Sequence, residues 1–212
     1  MFNINPHPPV SAAIAGLRRQ LATGNITDLS HFWQQAASLP VPLVTTVDGA
    51  ADEREVTFLW RARHPLRGVY LRLNRVTDKE QVAKGLMTQI PATDIWTLTL
   101  RLPANYCGSY SLVEIPPGTP EEVVNQLGSR FAALAGQADP LNKTPGIAIR
   151  DGVRESVLAL DNAPAQSEWR GGRHAGTLLT SERIVAGQSR QVRLYLPAVD
   201  KSQPLGLVVL PD

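Results

Sequence analysis

From Val56 onward the chain keeps a period of two, and no other feature constrains its fold as much. Val56, Phe58 and Trp60 alternate with Thr57, Leu59 and Arg61. In GVYLRLNRV, Val69, Leu71 and Leu73 share a face, and in IWTLTLRL the shared face holds Trp96, Leu98, Leu100 and Leu102. GSYSLVEI, over 108–115, is a fourth run. Successive side chains of a strand point to opposite faces, so such runs separated by turn-rich loops predict half-buried strands in an antiparallel sandwich. Trp60 and Trp96 fall in phase with the apolar faces, which assigns them to the core.

The flanks follow other rules. Ile14, Leu17 and Leu21 recur at helical spacing, as do Leu29, Phe32, Trp33 and Ala36, so two short helices meet around Gly24. The polar segment VDGAADERE, 47–55, reads as a loop. Within TPEEVVNQLGSRFAALAG, Thr119 caps, Pro120 takes the first helical position and Glu122 completes a capping box. Val123, Leu127, Phe131 and Leu134 then form one stripe, which predicts a helix over 120–135 packed on the sandwich. ESVLAL, 155–160, is a further strand. The segment 161–174, with its Pro and Gly, marks a linker, and TLLTSERI and RQVRLYL flank AGQS as a hairpin. Leu205, Leu207, Val208, Val209 and Leu210 form a nearly continuous apolar run, the mark of a strand buried on both faces in an α/β sheet. With nothing in the chain to cover it, that run is a candidate for self-association through 205–210.

The net charge of +2 is too small to argue for nucleic acid, and no run approaches the ~18 apolar residues that cross a bilayer. The positive charge is supplied by 17 Arg against 4 Lys, a bias suited to anionic or aromatic ligands, though genomic base composition produces it equally well. One cysteine, Cys107, and an N-terminus without a basic and apolar leader fit a reducing, cytoplasmic setting. Catalytic chemistry is missing. Gly187-Gln188-Ser189-Arg190-Gln191 lacks the second glycine of a nucleophile elbow and sits in a hairpin, which makes it an ordinary turn. Cys107 has no recognisable histidine partner and reads as a small core or edge residue, and His7, His31, His64 and His174 lack metal-site spacing.

RVTDKEQVAKGLM, TDIWTLTLRLPANYCGSYSLVEI, ADPLN, TSERI, RQVRLYLP and PLGLVVLPD together resemble the enterochelin (ferric enterobactin) esterase family, on its salmochelin-esterase-like branch. The resemblance runs from about Glu55 to Asp212. It implies a mainly β fold: an Ig-like (E-set) antiparallel β-sandwich with N-terminal helices and one packed helix, then the start of an α/β-hydrolase sheet. On that reading 1–48 is a helical arm, 49–165 the sandwich, and 166–212 a linker with the first hydrolase strands. The family hydrolyses the tri-serine lactone of ferric enterobactin in the cytoplasm with a Ser-His-Asp/Glu triad. Those residues would lie downstream in a C-terminal hydrolase domain, so no catalytic residue transfers to this chain. No resident cofactor or protein-bound metal is implied, because the Fe3+ arrives with the substrate, a ferric catecholate siderophore.

A bulky trianion with aromatic faces calls for arginine, and Arg54, Arg61, Arg63, Arg67, Arg72 and Arg75 crowd the first strands. The ligand contacts expected here are Arg130 with the segment Asp139-Pro140-Leu141-Asn142, Asp139 and Asn142 foremost. The competing expectation is a stand-alone sandwich module for glycans or a protein partner, in which Trp60 and Trp96 could stack on sugars and which an exposed aromatic pair on a flat sheet would support.

Overall fold

The computed structural model describes residues 8–77, 82–129, 131–149, 152–165, 175–199, 202 and 204–210, in two units, Met1–Pro164 and Ala165–Asp212. In the first unit, helices α1 (Pro8–Thr23) and α2 (Leu29–Ser38) precede all strands. Asp28 starts α2 by accepting the His31 amide on its side chain, which satisfies one of the orphan donors of the first turn. One sheet has the order β1 (Leu43–Val47), β2 (Ala50–Arg61), β5 (Ile95–Pro103), β4 (Thr88–Gln89). The other has β3 (Gly68–Leu73), β6 (Cys107–Ile115), β8 (Arg154–Ala159), β7 (Ile147–Ala148). Every pairing is antiparallel. Two short helical turns, α3 (Val82–Gly85) and α4 (Glu121–Val124), complete the unit.

The alternation works as expected between the sheets. Val56, Phe58 and Trp60 of β2 and Trp96, Leu100 and Leu102 of β5 share one core with Val69, Leu71 and Leu73 of β3 and with Tyr110 and Leu112 of β6. Leu98 is only half-buried. The outer faces are covered too. Leu59 and Ile95 turn from the inter-sheet core to pack under Leu17, Phe32 and Trp33 of the helices, while Tyr70, Val113 and Ile115 pack against Val124 and Leu127. Central strands buried on both sides lose their clean alternation, which is why β2 carries apolar side chains at successive positions 58–60.

Three expectations about local structure are corrected. Residues 47–55 are not a loop: the chain turns at Asp48-Gly49 and pairs Val47 with Ala50, so β2 begins seven residues before Thr57. Gly49 adopts the left-handed backbone that the turn requires (φ +76°), beside a register shift at Thr46/Val47. The helix over 120–135 ends as the single turn α4, and Phe131 is 86% exposed. Asn125, Gly128 and Ser129 are poor helix formers. Arg72 instead captures the Leu127 carbonyl (3.2 Å) and the Leu134 carbonyl (3.3 Å), and Gln137 pairs with Leu112 through two backbone bonds. The cap also shifts: Pro120 is the N-cap, with no side-chain cap bond, and the Thr119 hydroxyl turns back to donate to the Pro116 carbonyl.

In the second unit β9 (Thr177–Val185) pairs with β10 (Gln188–Leu196) across Ala186-Gly187, both at positive φ as a two-residue hairpin requires. Residues 204–210, expected as a strand, carry no regular structure, and Leu205, Leu207, Val208, Val209 and Leu210 are 56–89% exposed. A strand needs a partner for its backbone groups, and none pairs with them among the described residues.

Candidate functional site

A cleft of about 540 Å³ opens in the first unit between α2, the end of β2, β6 and the segment 137–141. Two carboxylates organise it. Asp94, just ahead of β5, accepts the Trp33 indole N–H on Oδ1 (2.8 Å) and the Arg61 Nε–H on Oδ2 (2.8 Å). That fork lays the Arg61 guanidinium over the Trp33 ring, 5.4 Å from its centre, where the ring quadrupole adds to the hold. On the other side Glu114 of β6 accepts the Trp60 indole N–H on Oε1 (3.0 Å), and its Oε2 lies 3.3 Å from His64 Nε2. Arg63 also lines the cleft, is exposed, and makes no ion pair or hydrogen bond among the described residues.

The remaining wall, Ala138, Pro140 and Leu141, is held from behind. Asp139 is 4% exposed and accepts the Tyr110 hydroxyl on Oδ2 (2.8 Å) and the Leu141 amide on Oδ1 (2.9 Å), while its own amide donates to the Ser156 hydroxyl (2.9 Å). The Asn142 amide group donates to the Tyr110 hydroxyl (3.0 Å) and the Val157 carbonyl (2.9 Å), and its oxygen accepts the Thr144 amide (2.8 Å). Burial pushes the Asp139 carboxyl above the usual carboxylate range against these donors, and burial together with the Asp139 charge raises the Tyr110 hydroxyl.

This placement corrects the expected contacts. Asp139 and Asn142 do not line the cleft: their polar atoms are spent on β6, β8 and the amides of Leu141 and Thr144, so they position the wall rather than touch what enters. Arg130 lies outside the described residues. Of the strand arginines, Arg61 and Arg63 reach the cleft. Arg54 is committed to Asp161 (2.8 and 2.6 Å) and the Ala51 and Glu53 carbonyls, Arg67 to Glu121 and the Thr119 carbonyl, and Arg72 to the 127–134 segment. The hydrogen bond from Arg54 holds Asp161 below the usual carboxylate range. Trp33, His64 and Glu114 were missed. The signal was available only as the Trp33 and Trp60 indoles, which need an acceptor once buried. Trp60 and Trp96 are 7% and 6% exposed, so these two offer no exposed aromatic pair for a sugar. Cys107 is exposed rather than in the core, and Ser189 lies on β10; neither bonds to a histidine among the described residues.

Residues 55–169, more than half of the chain, match the family model described as enterochelin esterase, N-terminal. The chain belongs to the enterochelin esterase family. Its whole length is 69% identical to an iron(III) salmochelin esterase of Escherichia coli O6:H1 (strain CFT073), of which it covers 51%. An iron(III) enterobactin esterase of Dickeya dadantii is 30% identical over 66% of the chain and 34% of that protein. The chain thus spans about half the length, or less, of these curated relatives. A crystal structure of enterochelin esterase from Shigella flexneri superposes with a TM-score of 0.53 at 25% identity, over 80% of this chain and 45% of that one. A Shigella flexneri enterobactin esterase crystallised in the presence of enterobactin gives 0.52 at 24% over the same shares, a likeness of fold. The family membership and the antiparallel, mainly β architecture therefore agree.

Proposed function

We propose that this chain is the substrate-embracing N-terminal part of an esterase that opens the tri-serine lactone of ferric enterobactin or salmochelin, and that its own contribution is binding. The observation that carries this reading is the cleft: fixed indoles and two arginines converge there with no nucleophile–base pair among the described residues that line it. Cleavage of an ester needs a nucleophile, a base and oxyanion donors held together, and a ligand wall needs none of them. In this proposal the two packed sheets are an Ig-like (E-set) domain over 49–165, preceded by the helical arm 1–48. The hairpin 177–196 and the apolar run 204–210 begin an α/β-hydrolase sheet, whose remainder would cover the leucines and valines that now face solvent. Iron enters bound to the siderophore, and the reaction takes place in the cytoplasm. Arg130 keeps its place as a ligand contact on sequence grounds, ahead of Asp139-Pro140-Leu141-Asn142 in the chain.

The test is hydrolytic. The 212-residue chain is expected to release no product from ferric enterobactin or a simple aryl ester above background, and Ser189→Ala and Cys107→Ala to leave that background unchanged. The same polypeptide extended through a downstream hydrolase domain is expected to cleave ferric enterobactin. Turnover by the 212-residue chain that one Ser or Cys substitution abolishes would overturn the division of labour.

A further inference from the structure

We propose that Asp94, which does not itself line the cleft, is the positioning residue of the site: it locks Trp33 of the helical arm and Arg61 of β2 into one preformed clamp for an aromatic anion. The proposal rests on the reading that this chain binds catecholate siderophores, and it names what readies the cleft for them.

The two carboxylate oxygens of Asp94 do different work. Trp33 is 6% exposed, so its indole N–H needs an acceptor, and Oδ1 alone supplies one. Oδ2 goes to Arg61, whose side chain is 53% exposed and could be served by water instead. An ion pair that open adds little to the stability of the fold. Its effect is to fix a direction, by holding the guanidinium at Nε against the Trp33 ring, 5.4 Å from the ring centre.

That hold leaves the binding groups of Arg61 free. Both terminal nitrogens make no hydrogen bond among the described residues, and together they form the planar fork that takes two anionic oxygens side by side. One face of the guanidinium is occupied by Trp33, and the exposure of the side chain leaves room for a ligand ring on the other.

The mount is rigid on one side and reaches across the unit on the other. Arg61 pairs with Ile95 at the end of the β2–β5 ladder, and the Ala62 amide donates to the Asp94 carbonyl (2.8 Å), so the ion pair joins neighbouring hydrogen-bonded strands. Trp33 comes from α2, which precedes every strand, and meets Phe32 edge-on at 5.1 Å. The bond from Trp33 to Asp94 therefore makes the helical arm part of the site. Groups held in the bound geometry before a ligand arrives need no further ordering when it does.

Titration calorimetry of ferric enterobactin into the 212-residue chain tests this, with Asp94→Asn separating the two roles. The asparagine oxygen can still accept the Trp33 indole, whereas its NH2 group would meet another donor at Arg61. Affinity is expected to fall about tenfold in Asp94→Asn and at least tenfold in Arg61→Gln. It should stay unchanged in Arg19→Gln, an exposed control on α1. Because Asp94 acts through Arg61, the double variant should bind no more weakly than Arg61→Gln alone. Arg61→Lys keeps the charge but lacks the Nε–H and the planar face, and it should also lose about tenfold. Thermal melting checks that each variant folds. An Asp94→Asn chain that melts and binds like the parent would overturn the proposal, as would a double variant whose loss is the product of the single losses. Should Asp94→Asn fail to fold, Arg61→Lys decides: a tenfold loss supports the clamp, and parent-like binding overturns it. Those failures leave the siderophore reading standing, whereas a parent chain that does not bind ferric enterobactin removes both.

Discussion

Asp139→Ala is expected to lower the stability of the first unit by about 2–4 kcal/mol and to weaken whatever binds in the cleft about tenfold, although Asp139 does not line it. The carboxylate is the acceptor for the Tyr110 hydroxyl and the Leu141 amide. Tyr110 is fully buried, so its hydroxyl hydrogen would be left without an acceptor, and each buried donor stranded in this way costs about 1–3 kcal/mol. The loss also frees Ala138, Pro140 and Leu141 from β6, while the backbone bond from residue 139 to Ser156 of β8 remains. Asp139→Asn should cost less, about 1 kcal/mol, because one acceptor remains where two are needed.

The pH dependence separates a buried carboxyl from a merely removed contact. Burial raises the folded pKa of Asp139 above its unfolded value. Between those two values the folded protein holds the extra proton, so this group's contribution to stability falls as pH rises through the window. Asp139→Asn should abolish that slope. Asp161 acts in the opposite sense and in a different window. Its folded pKa is depressed by Arg54, so its contribution is present above the ordinary carboxylate range and is lost as pH falls below it. Urea denaturation across the acid range, read by tryptophan fluorescence, checks both. An Asp139→Asn chain that keeps the slope, or an Asp139→Ala chain as stable as the parent, would show that the network does not hold the loop.

The parts of the fold that could be read from the chain were those where one physical requirement decides the residue type. The inter-sheet core needs an apolar side chain at every second position, and Val56, Phe58, Trp60, Val69, Leu71, Leu73 and Trp96 satisfy it. The helix over 120–135 failed because two requirements compete there. Val123 to Leu134 carry a helical stripe, but Gly128 and Ser129 weaken the helix and Arg72 offers the carbonyls a better partner from another strand. No local pattern encodes that partner. The Asp48-Gly49 turn was legible and was overlooked because its polar neighbours Asp52, Glu53, Arg54 and Glu55 look like loop; they are residues of β2, and Arg54 is buried.

The cleft was illegible for a topological reason. Trp33, Arg61, Arg63, Glu114 and Leu141 come from segments far apart in the chain, and only the pairing of β2 with β5 and the stacking of the two sheets bring them together. Asp139 and Asn142 stood out as polar residues in a distinctive string. Such a string marks a constraint without saying whether a ligand or the fold imposes it. Here Tyr110, Ser156 and Val157 do.

The same logic sets the largest stability effect expected in the molecule, at Phe58. Its side chain is fully buried between the two sheets, opposite Leu98 in the β2–β5 register, and it meets Tyr110 edge-on at 5.2 Å and 74°. Phe58→Ala should cost about 3–5 kcal/mol, the sum of lost transfer energy and the cavity left behind. About 0.5–1.5 kcal/mol of that belongs to the aromatic pair. Phe58→Leu fills most of the volume and should lose far less, so the difference between the two variants measures the cavity. Because Tyr110 also donates to Asp139, the hole reaches the residue that braces the cleft wall, and neighbours that share a partner should not be additive. The double variant Phe58→Ala with Asp139→Ala is therefore expected to lose less than the sum of the single losses, by about 0.5 kcal/mol or more. A Phe58→Ala midpoint in urea within about 1 kcal/mol of the parent, at unchanged slope, would mean that the two sheets do not depend on this contact. Strict additivity with Asp139→Ala would mean that the core and the wall of the cleft are mechanically separate.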